Sequence, residues 1–589
     1  MLSSLRRAML ENQIDAYIIP STDPHQSEYP APRWAAREHF SGFTGSAGTL
    51  VVTLHEAKLW TDGRYYLQAT TQLAGSGIEL MKDRLPDTPS IEDWLGSTLL
   101  EGQTVGADGR VVSVTTARRM RRRLKDHGLR FTLDEDLARA AWPERPAVPN
   151  EPVFEHTTDF SGEAWQDRLV RLTEWMTEKN LDYFIVSALD EVAWLLNIRG
   201  SDIDFNPLAV AYFVAGRRGD HALFAAPRPN FDLWTENVPE GHELACYHYT
   251  DVSTYIRRTN AVDADIGLDP DTTSARLNLH AGDTKTTHLT SPIPGWKAIK
   301  SAAAQDHIRR TMQHDAVSLL RLRRWLDGAV ATGVTEYEVG EKLSSLRAEQ
   351  PHYVCESFPA IVGYAGNGAI IHYRAPREGS ATLLAEGILL LDSGGQYLTG
   401  TTDITRTFAL GPTTAAMREA FTRVLQGHID LAMIKFPKGT SGAQLDVLAR
   451  AALWRNEQDY GHGTGHGVGY FLNVHEGPMG ISQQPKSPRA QEPLRPGMVL
   501  SNEPGYYAEG EYGIRTENLV IIQPATRDGW MKFETVTLFP IDKSLIVQPL
   551  LTREQVEWID NYHARVLAKV GPLLEGEELA WLKEACSAL

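Results

Sequence analysis

The sequence predicts two related α/β domains, at residues 1–155 and 156–300, followed by an α+β domain at 301–589. Three observations lead there. The first is length, since 589 residues exceed one ordinary domain and leave each piece large enough to bury its own core. The second is an internal repeat. The stretch IDAYIIPSTD, Ile14 to Asp23, matches LDYFIVSALD, Leu181 to Asp190, with Asp15 and Asp182 each eight residues before Asp23 and Asp190. Further on, VGADGR around Asp108 is matched by IGLDPD around Asp269, each leading into a Thr-rich turn and a helical stretch. The third is a change of pattern from about residue 301, where helical and strand-like segments come in blocks, an α+β layout.

In order along the chain, an amphipathic helical pattern precedes a strand-like run in both copies of the repeat, and the proline-rich WPERPAVPNEP joins them. The arginine run RRMRRRLK, Arg118 to Lys125, reads as a solvated helix face. The last domain opens with AAAQDHIRRTMQHDAVSLLRLRRWL and then TEYEVGEKLSSL, where Thr335 and Glu338 have capping-box spacing. FPAIVGY, AIIHY, GILLLDSGG and TTDITRTFAL read as strands, TAAMREAFTRVLQGHIDLAMI and GAQLDVLARAALW as helices. MVLSNEPGYY and GIRTENLVII read as the last strands.

Composition narrows the function classes. A net charge of −17 with a pI near 5.6 argues against nucleic acid or an acidic membrane surface as partner. Cys246, Cys355 and Cys586 are far apart and odd in number, which offers neither a disulfide framework nor a CxxC site and suits a reducing compartment. The opening MLSSLRRAMLENQ places charges where a signal peptide would be apolar, and there is no apolar run of membrane-spanning length. The expectation is a cytoplasmic protein.

Two features carry chemistry. The stretch GHGTGHGVGYFLNVHE, residues 461–476, sets His462, His466 and His475 among glycines, which permit close approach of the backbone to a neighbour or ligand. The second feature is carboxylates in apolar strands. Asp392 follows three leucines, Asp403 comes eleven residues later, Glu503 ends MVLSNEP, and Glu517 alternates with Leu519 and Ile521. A hairpin centred near Tyr397 and Leu398 would set Asp392 opposite Asp403, with Cβ atoms about 5 Å apart. Like charges that close require a cation between them. Two divalent ions with His466 would balance four carboxylates, and an oxygen-rich pocket with one imidazole suits Mn²⁺, with Co²⁺, Fe²⁺ or Zn²⁺ as the other candidates. Ion pairs with arginines such as Arg406 and Arg515 are the competing explanation.

The ordered set Asp392, Asp403, His466, Glu503, Glu517, in the contexts LLLDSGG, TTDITRTF, GHGTGHGVG, NEPGYY and GIRTEN, resembles the dinuclear metallopeptidases of the pita-bread fold. That family holds methionine aminopeptidase, prolidase and aminopeptidase P, with creatinase a metal-free relative. Within it the chain is similar to the cytosolic three-domain aminopeptidases P. The similarity runs through QSEYPAP, FTGSAGT and WTDGRYYLQA, SALDEVAWLLNIRGSDIDFNP, and the tail after Thr535.

The resemblance implies two creatinase-like N-terminal domains and a pita-bread catalytic domain with a C-terminal extension. It implies that Asp392 chelates one ion, that Asp403 and Glu517 bridge both, and that His466 and Glu503 hold the other. It makes Glu503 the general base and sets His372, His462 and His475 on the substrate side. Tyr507 and Arg515 would shape a slot for proline. The implied activity is release of the first residue from X-Pro peptides by a homodimer. A prolidase-like dipeptidase is the nearest alternative, and a peptide-binding module without activity a more distant one.

Overall fold

Leu5, Ala8 and Met9 form the buried face of helix α1 (Leu2–Glu11). The run that follows is buried on both faces of strand β1 (Ala16–Pro20), as a strand inside a covered sheet must be. Around β1 stand β2 (Thr49–Thr53), β3 (Ala57–Thr61), β4 (Glu79–Lys82), β5 (Thr104–Ala107) and β6 (Arg130–Thr132), in the order β4-β3-β2-β1-β5-β6. The computed structural model describes residues 1–227, 232–261, 263–282, 285–484 and 486–589. These divide into two units, Met1–Ile293 and Pro294–Leu589.

The repeat has a structural counterpart. A second sheet is built from β7 (Tyr183–Val186), β8 (Ala211–Gly216), β9 (Asp220–Ala225), β10 (Glu243–His248), β11 (Ile266–Leu268) and β12 (Thr286–His288), in the order β10-β9-β8-β7-β11-β12. Strand for strand this is the first sheet again. The central strand pairs antiparallel on one side and parallel on the other in both (β1 with β2 and β5, β7 with β8 and β11). After β5 the chain enters α2 (Val114–Asp126), capped by Ser113, and after β11 it enters α4 (Ala275–Ala281), capped by Ser274. Between the copies, α3 (Trp165–Glu178) takes the place of α1.

The copies meet at equivalent residues. Ser113 bridges to Ser274, Val114 N–H donates to Thr273 O while Ala275 N–H donates to Val112 O, and Thr115 N–H donates to Pro270 O while Arg276 N–H donates to Gly109 O. Each bond has its mirror in the other copy. The arginine run lies on α2 with Val114, Ala117, Met120 and Leu124 turned inward, so the arginines occupy the solvated face as expected.

In the second unit, α5 (Ala302–Ala329) is followed by α6 (Glu336–Arg347), whose capping box of Thr335 and Glu338 is formed. The strands β13 (Tyr353–Glu356), β14 (Ile361–Tyr364), β15 (Ile388–Ser393), β16 (Gly395–Tyr397), β17 (Gly400–Thr401) and β18 (Ile404–Ala409) make two three-stranded sheets, β13-β16-β17 and β14-β15-β18. Helices α7 (Ala415–Met433) and α8 (Gly442–Trp454) come next. Then β19 (Lys435–Pro437), which lies between these helices, joins β20 (Gly465–Gly467), β21 (Glu476–Ile481), β22 (Val499–Asn502), β25 (Asn518–Pro524) and β26 (Trp530–Thr535) in a sheet ordered β19-β26-β25-β22-β20-β21. The hairpin β23 (Gly505–Ala508) and β24 (Tyr512–Arg515) stands apart. The helices α9 (Arg553–Val570) and α10 (Gly576–Ala585) close the unit, and Leu320, Leu343, Leu389, Leu391, Phe421, Leu425 and Ile559 share one apolar core.

Two expectations change. AIIHY is not a strand: Ala365–Ala369 is a 3₁₀ turn and His372 sits in the turn after it. Gly368 there packs on the backbone of Gly513, where a Cβ would meet Gly513 N at 3.0 Å. Asp392 also does not face Asp403 directly. The register pairs Asp392 with Thr405 and Tyr397 with Gly400, so the hairpin turns at Leu398–Thr399. A shift of two residues keeps Asp403 on the same face, as a diagonal neighbour. No helix among the described residues is long and apolar enough to cross a membrane.

Candidate metal centre

Strand alternation aims the acids. Leu389 and Leu391 enter the helix-covered core, whereas Leu390 faces Phe358, Ile361 and Val474 on the other side. Two residues beyond Leu390, Asp392 falls on that same face. Asp403 leads into β18, Glu503 follows β22, and Glu517 occupies the step between β24 and β25. Asp392, Asp403 and Glu517 are 8%, 4% and 2% exposed, and the Glu503 side chain is 18% exposed.

His466 is oriented by its own strand. Its Nδ1–H donates to Gly467 O at 2.9 Å, which leaves Nε2 toward Asp403 Oδ2 (3.4 Å) and Glu503 Oε1 (3.6 Å). This is how a ligating imidazole is usually held, with the distal nitrogen fixed by a hydrogen bond. One ligand atom each from Asp403, His466 and Glu517 lies within 4.8 Å of the others. The glycines flanking His466 serve strand packing: a Cβ on Gly465 would lie 2.1 Å from Ser501 O, and one on Gly467 would lie 2.3 Å from Glu476 O.

The competing ion-pair explanation holds for one arginine and fails for the other. Arg515 Nη2 donates to Asp392 Oδ2 at 2.6 Å. Arg406 instead donates to neutral acceptors: Glu517 O (2.6 Å), Asn518 Oδ1 (2.8 Å), Phe539 O (2.8 Å) and the Tyr562 hydroxyl (2.9 Å). Four carboxylates therefore face one guanidinium, and Asp392 Oδ1 is buried without a hydrogen-bond partner.

The electrostatics express this deficit. Burial, only partly offset by Arg515 and reinforced by Asp403, pushes Asp392 up to about 6. Burial raises Glu503 against the opposing pull of His466 and Arg515. Burial and then Asp403, Asp392 and Glu503 drive Glu517 well above the usual carboxylate range. Burial opposes a charge on His466, yet Asp403 and Glu503 lift it to about 9, so a proton on Nε2 stands where a cation would. Oxygen donors in excess, one imidazole nitrogen and uncompensated negative charge fit divalent metal ions.

The remaining residues border this cluster. The Arg515 Nη1–H donates to the Tyr507 hydroxyl at 2.5 Å, and that hydroxyl lies 2.8 Å from His462 Nε2. Because His462 Nδ1–H donates to Gly463 O (2.7 Å), Nε2 accepts from the tyrosine. The His475 ring stands 4.4 Å from that of His466 at 85°. His372 follows Ile371, whose carbonyl accepts from Arg515 Nη2 at 3.4 Å.

Sequence reasoning missed the supports. Thr405 Oγ1 donates to Glu517 Oε2 (2.7 Å) and accepts from Arg515 Nε (3.1 Å). Ser501 Oγ accepts from His466 N–H (2.9 Å) and donates to Glu503 Oε1 (3.2 Å). Both stand two residues from an acid, so alternation was the available signal. Arg450, buried on α8, holds the histidine loop through His462 O (2.7 Å) and Tyr460 O (2.8 Å).

Residues 306–524 match the model of metallopeptidase family M24, and 529–589 match the C-terminal region of that peptidase family. Residues 1–132 and 144–304 each match a creatinase/prolidase N-terminal domain. Xaa-Pro aminopeptidase 1 of Dictyostelium discoideum is 38% identical over 100% of this chain and 96% of its own. The chain belongs to the Xaa-Pro aminopeptidases of family M24. A probable Xaa-Pro aminopeptidase P of Fusarium vanettenii is 40% identical over 99% of this chain and 97% of its own. The crystal structure of X-prolyl aminopeptidase from Caenorhabditis elegans, a cytosolic enzyme with a di-nuclear active site, superposes with a TM-score of 0.92 at 34% identity, covering 100% of this M24 chain and 99% of the other.

Proposed function

We propose that this protein is an Xaa-Pro aminopeptidase, a hydrolase that removes the first residue from peptides with proline second. The observation that carries the reading is the convergence of three buried carboxylates, the partly buried Glu503 and His466 on a charge deficit that Arg515 alone does not fill. Two divalent cations, Mn²⁺ by the donor chemistry, would lower the pKa of water and polarise the scissile carbonyl when bound. Asp392 would hold one, Asp403 and Glu517 both, and His466 with Glu503 the other. Asp392 would also read the free amino end of the substrate.

The chain's own groups do the rest. Glu503, with Oε1 held by Ser501 and Oε2 turned toward His462 at 3.9 Å, takes the proton of the attacking water and returns it to the proline nitrogen as that nitrogen leaves. An amide nitrogen is too poor a leaving group to depart as its anion, so this delivery is required. His475 donates to the oxygen on which charge develops, His462 grips the substrate side by holding the Tyr507 hydroxyl, and His372 orients the substrate. Tyr507, fixed between Arg515 and His462, lines the slot for the proline ring.

Domains at 1–155, 156–300 and 301–589 are the proposed division, supported by one six-stranded sheet on either side of residue 155. We further infer a cytosolic homodimer, acting on peptides and not on nucleic acids or membranes. Val447 and Trp454, each 44% exposed and seven residues apart on α8, offer the dimer an apolar strip.

Mn²⁺-loaded protein is expected to cleave X-Pro-Y tripeptides and longer peptides with kcat/KM well above that for X-Pro dipeptides, and to leave X-Ala-Y intact. Preference for dipeptides assigns it to the prolidase chemistry. Cleavage of X-Ala-Y removes proline specificity, and no cleavage with metals bound leaves only a binding module.

A further inference from the structure

Glu476 follows His475 directly, and its carboxylate is gripped by two lysines. Lys297 Nζ lies 2.8 Å from Oε2, and Lys300 Nζ contacts Oε1. All three side chains are at most 2% exposed. One buried ion pair returns roughly what its desolvation takes, and a second buried ammonium on the same carboxylate adds desolvation without a second anion. Burial indeed draws Lys300 below the usual lysine value, with Glu476 pulling it back up. An arrangement so poorly explained by stability calls for another role.

The sheet supplies it. Between β20 and β21, His466 pairs with Gly480 while the next residue, Gly467, pairs with Glu476. Gly477, Pro478 and Met479 therefore lie outside the register, and the single ladder pair of Gly467 with Glu476 ties the His475 end of β21 to His466. Beside that one pair, the Glu476 carboxylate, held at both oxygens, anchors that end of β21. The lysines are themselves rigidly placed: Lys300 Nζ donates to Lys297 O (3.1 Å), and Lys300 N–H donates to Gly497 O (3.0 Å).

We propose that Lys297 and Lys300 are positioning residues for His475, acting through the carboxylate of Glu476. The inference rests on the reading of His475 as a substrate-side group. Released from one lysine, the carboxylate turns and carries the adjoining imidazole out of line, and displacements near 1 Å cost on the order of 10²-fold in rate.

The test is a double-mutant cycle in the full-length, Mn²⁺-loaded protein, with Lys300→Met, His475→Ala and the pair assayed on an X-Pro-Y tripeptide. Lys300→Met leaves Lys297 and Glu476 one to one, and it is expected to keep the wild-type metal content and lose about tenfold or more in kcat/KM, chiefly in kcat. In the His475→Ala background the same substitution is expected to change little. Wild-type kcat/KM in Lys300→Met beside an impaired His475→Ala overturns this inference alone, as do independent, multiplying losses or metal lost in step with activity. Wild-type kcat/KM in His475→Ala overturns the reading of His475 and this inference with it. Lys297→Met, which leaves Lys300 and Glu476 paired, repeats the test should Lys300→Met not fold.

Discussion

The two units bury carboxylates in opposite ways. In the first, Asp136 is met by both Arg110 and Arg145, the latter at 2.9 Å, and Asp108 by Arg110 at 2.7 Å. Burial alone would raise the Asp136 carboxyl, but the two guanidiniums hold it below its ordinary value. In the second, Arg515 bonds Asp392 while Asp403, Glu503 and Glu517 stand without a bonded arginine, and Asp392, Glu503 and Glu517 are pushed up. Balanced acids brace a fold, whereas acids left short of positive charge mark a place built to receive it.

The sharpest way to break this contrast is Asp403→Asn, which is expected to reduce bound metal below two ions per chain and abolish turnover. Full activity with two metals by elemental analysis would remove the dinuclear reading. Next in size, His462→Ala and His475→Ala are expected to retain metal and lose about 10²-fold in kcat/KM, because they act on substrate and transition state. Metal loss in proportion to activity would make them supports of the acid cluster.

The third prediction concerns pH. Asp392 and Glu517, raised in the fold, bind protons more tightly folded than unfolded, as does His466. Their contribution in metal-stripped protein is therefore present at low pH and lost as pH rises through the folded values, from about 6 for Asp392 to about 9 for His466. Calorimetry should show the metal-free catalytic unit melting lower at pH 8 than at pH 5, with Mn²⁺ raising it most at pH 8. The opposite trend would mean the acids are already balanced.

Asp136 has the reverse sign. Its contribution is present at neutral pH and lost as pH falls through its depressed folded value. Asp136→Asn is the smallest effect: about 1–2 kcal/mol from the first unit, since Arg110 is 42% exposed and screened, with kcat/KM unchanged. A large loss of activity would tie that brace to the site.

What the chain reveals as text follows from distance. The repeat was legible because Ile14–Asp23 and Leu181–Asp190 keep the pattern of a central strand, and both sheets follow the same order. The acid cluster was legible because an acid among leucines stands out against the apolar run. The hairpin register slipped by two because Leu398 and Thr399, which make the turn, carry no turn signature, while Ser393, Gly394 and Gly395 do. AIIHY misled because a short apolar run does not separate a strand from a tight turn. Arg450 and the Lys297–Glu476 pair, whose members are 179 residues apart, leave no local trace.

The seam at Ser113 and Ser274 is isologous, each bond returned by its counterpart, which is the geometry of a two-fold homodimer interface. Here both partners belong to one polypeptide. Covalent linkage replaces a dilution-sensitive association with one governed by a fixed effective concentration, so the pairing of the two copies is independent of how much protein is present. The first unit thus carries inside a single chain the symmetry that other proteins reach only by assembling.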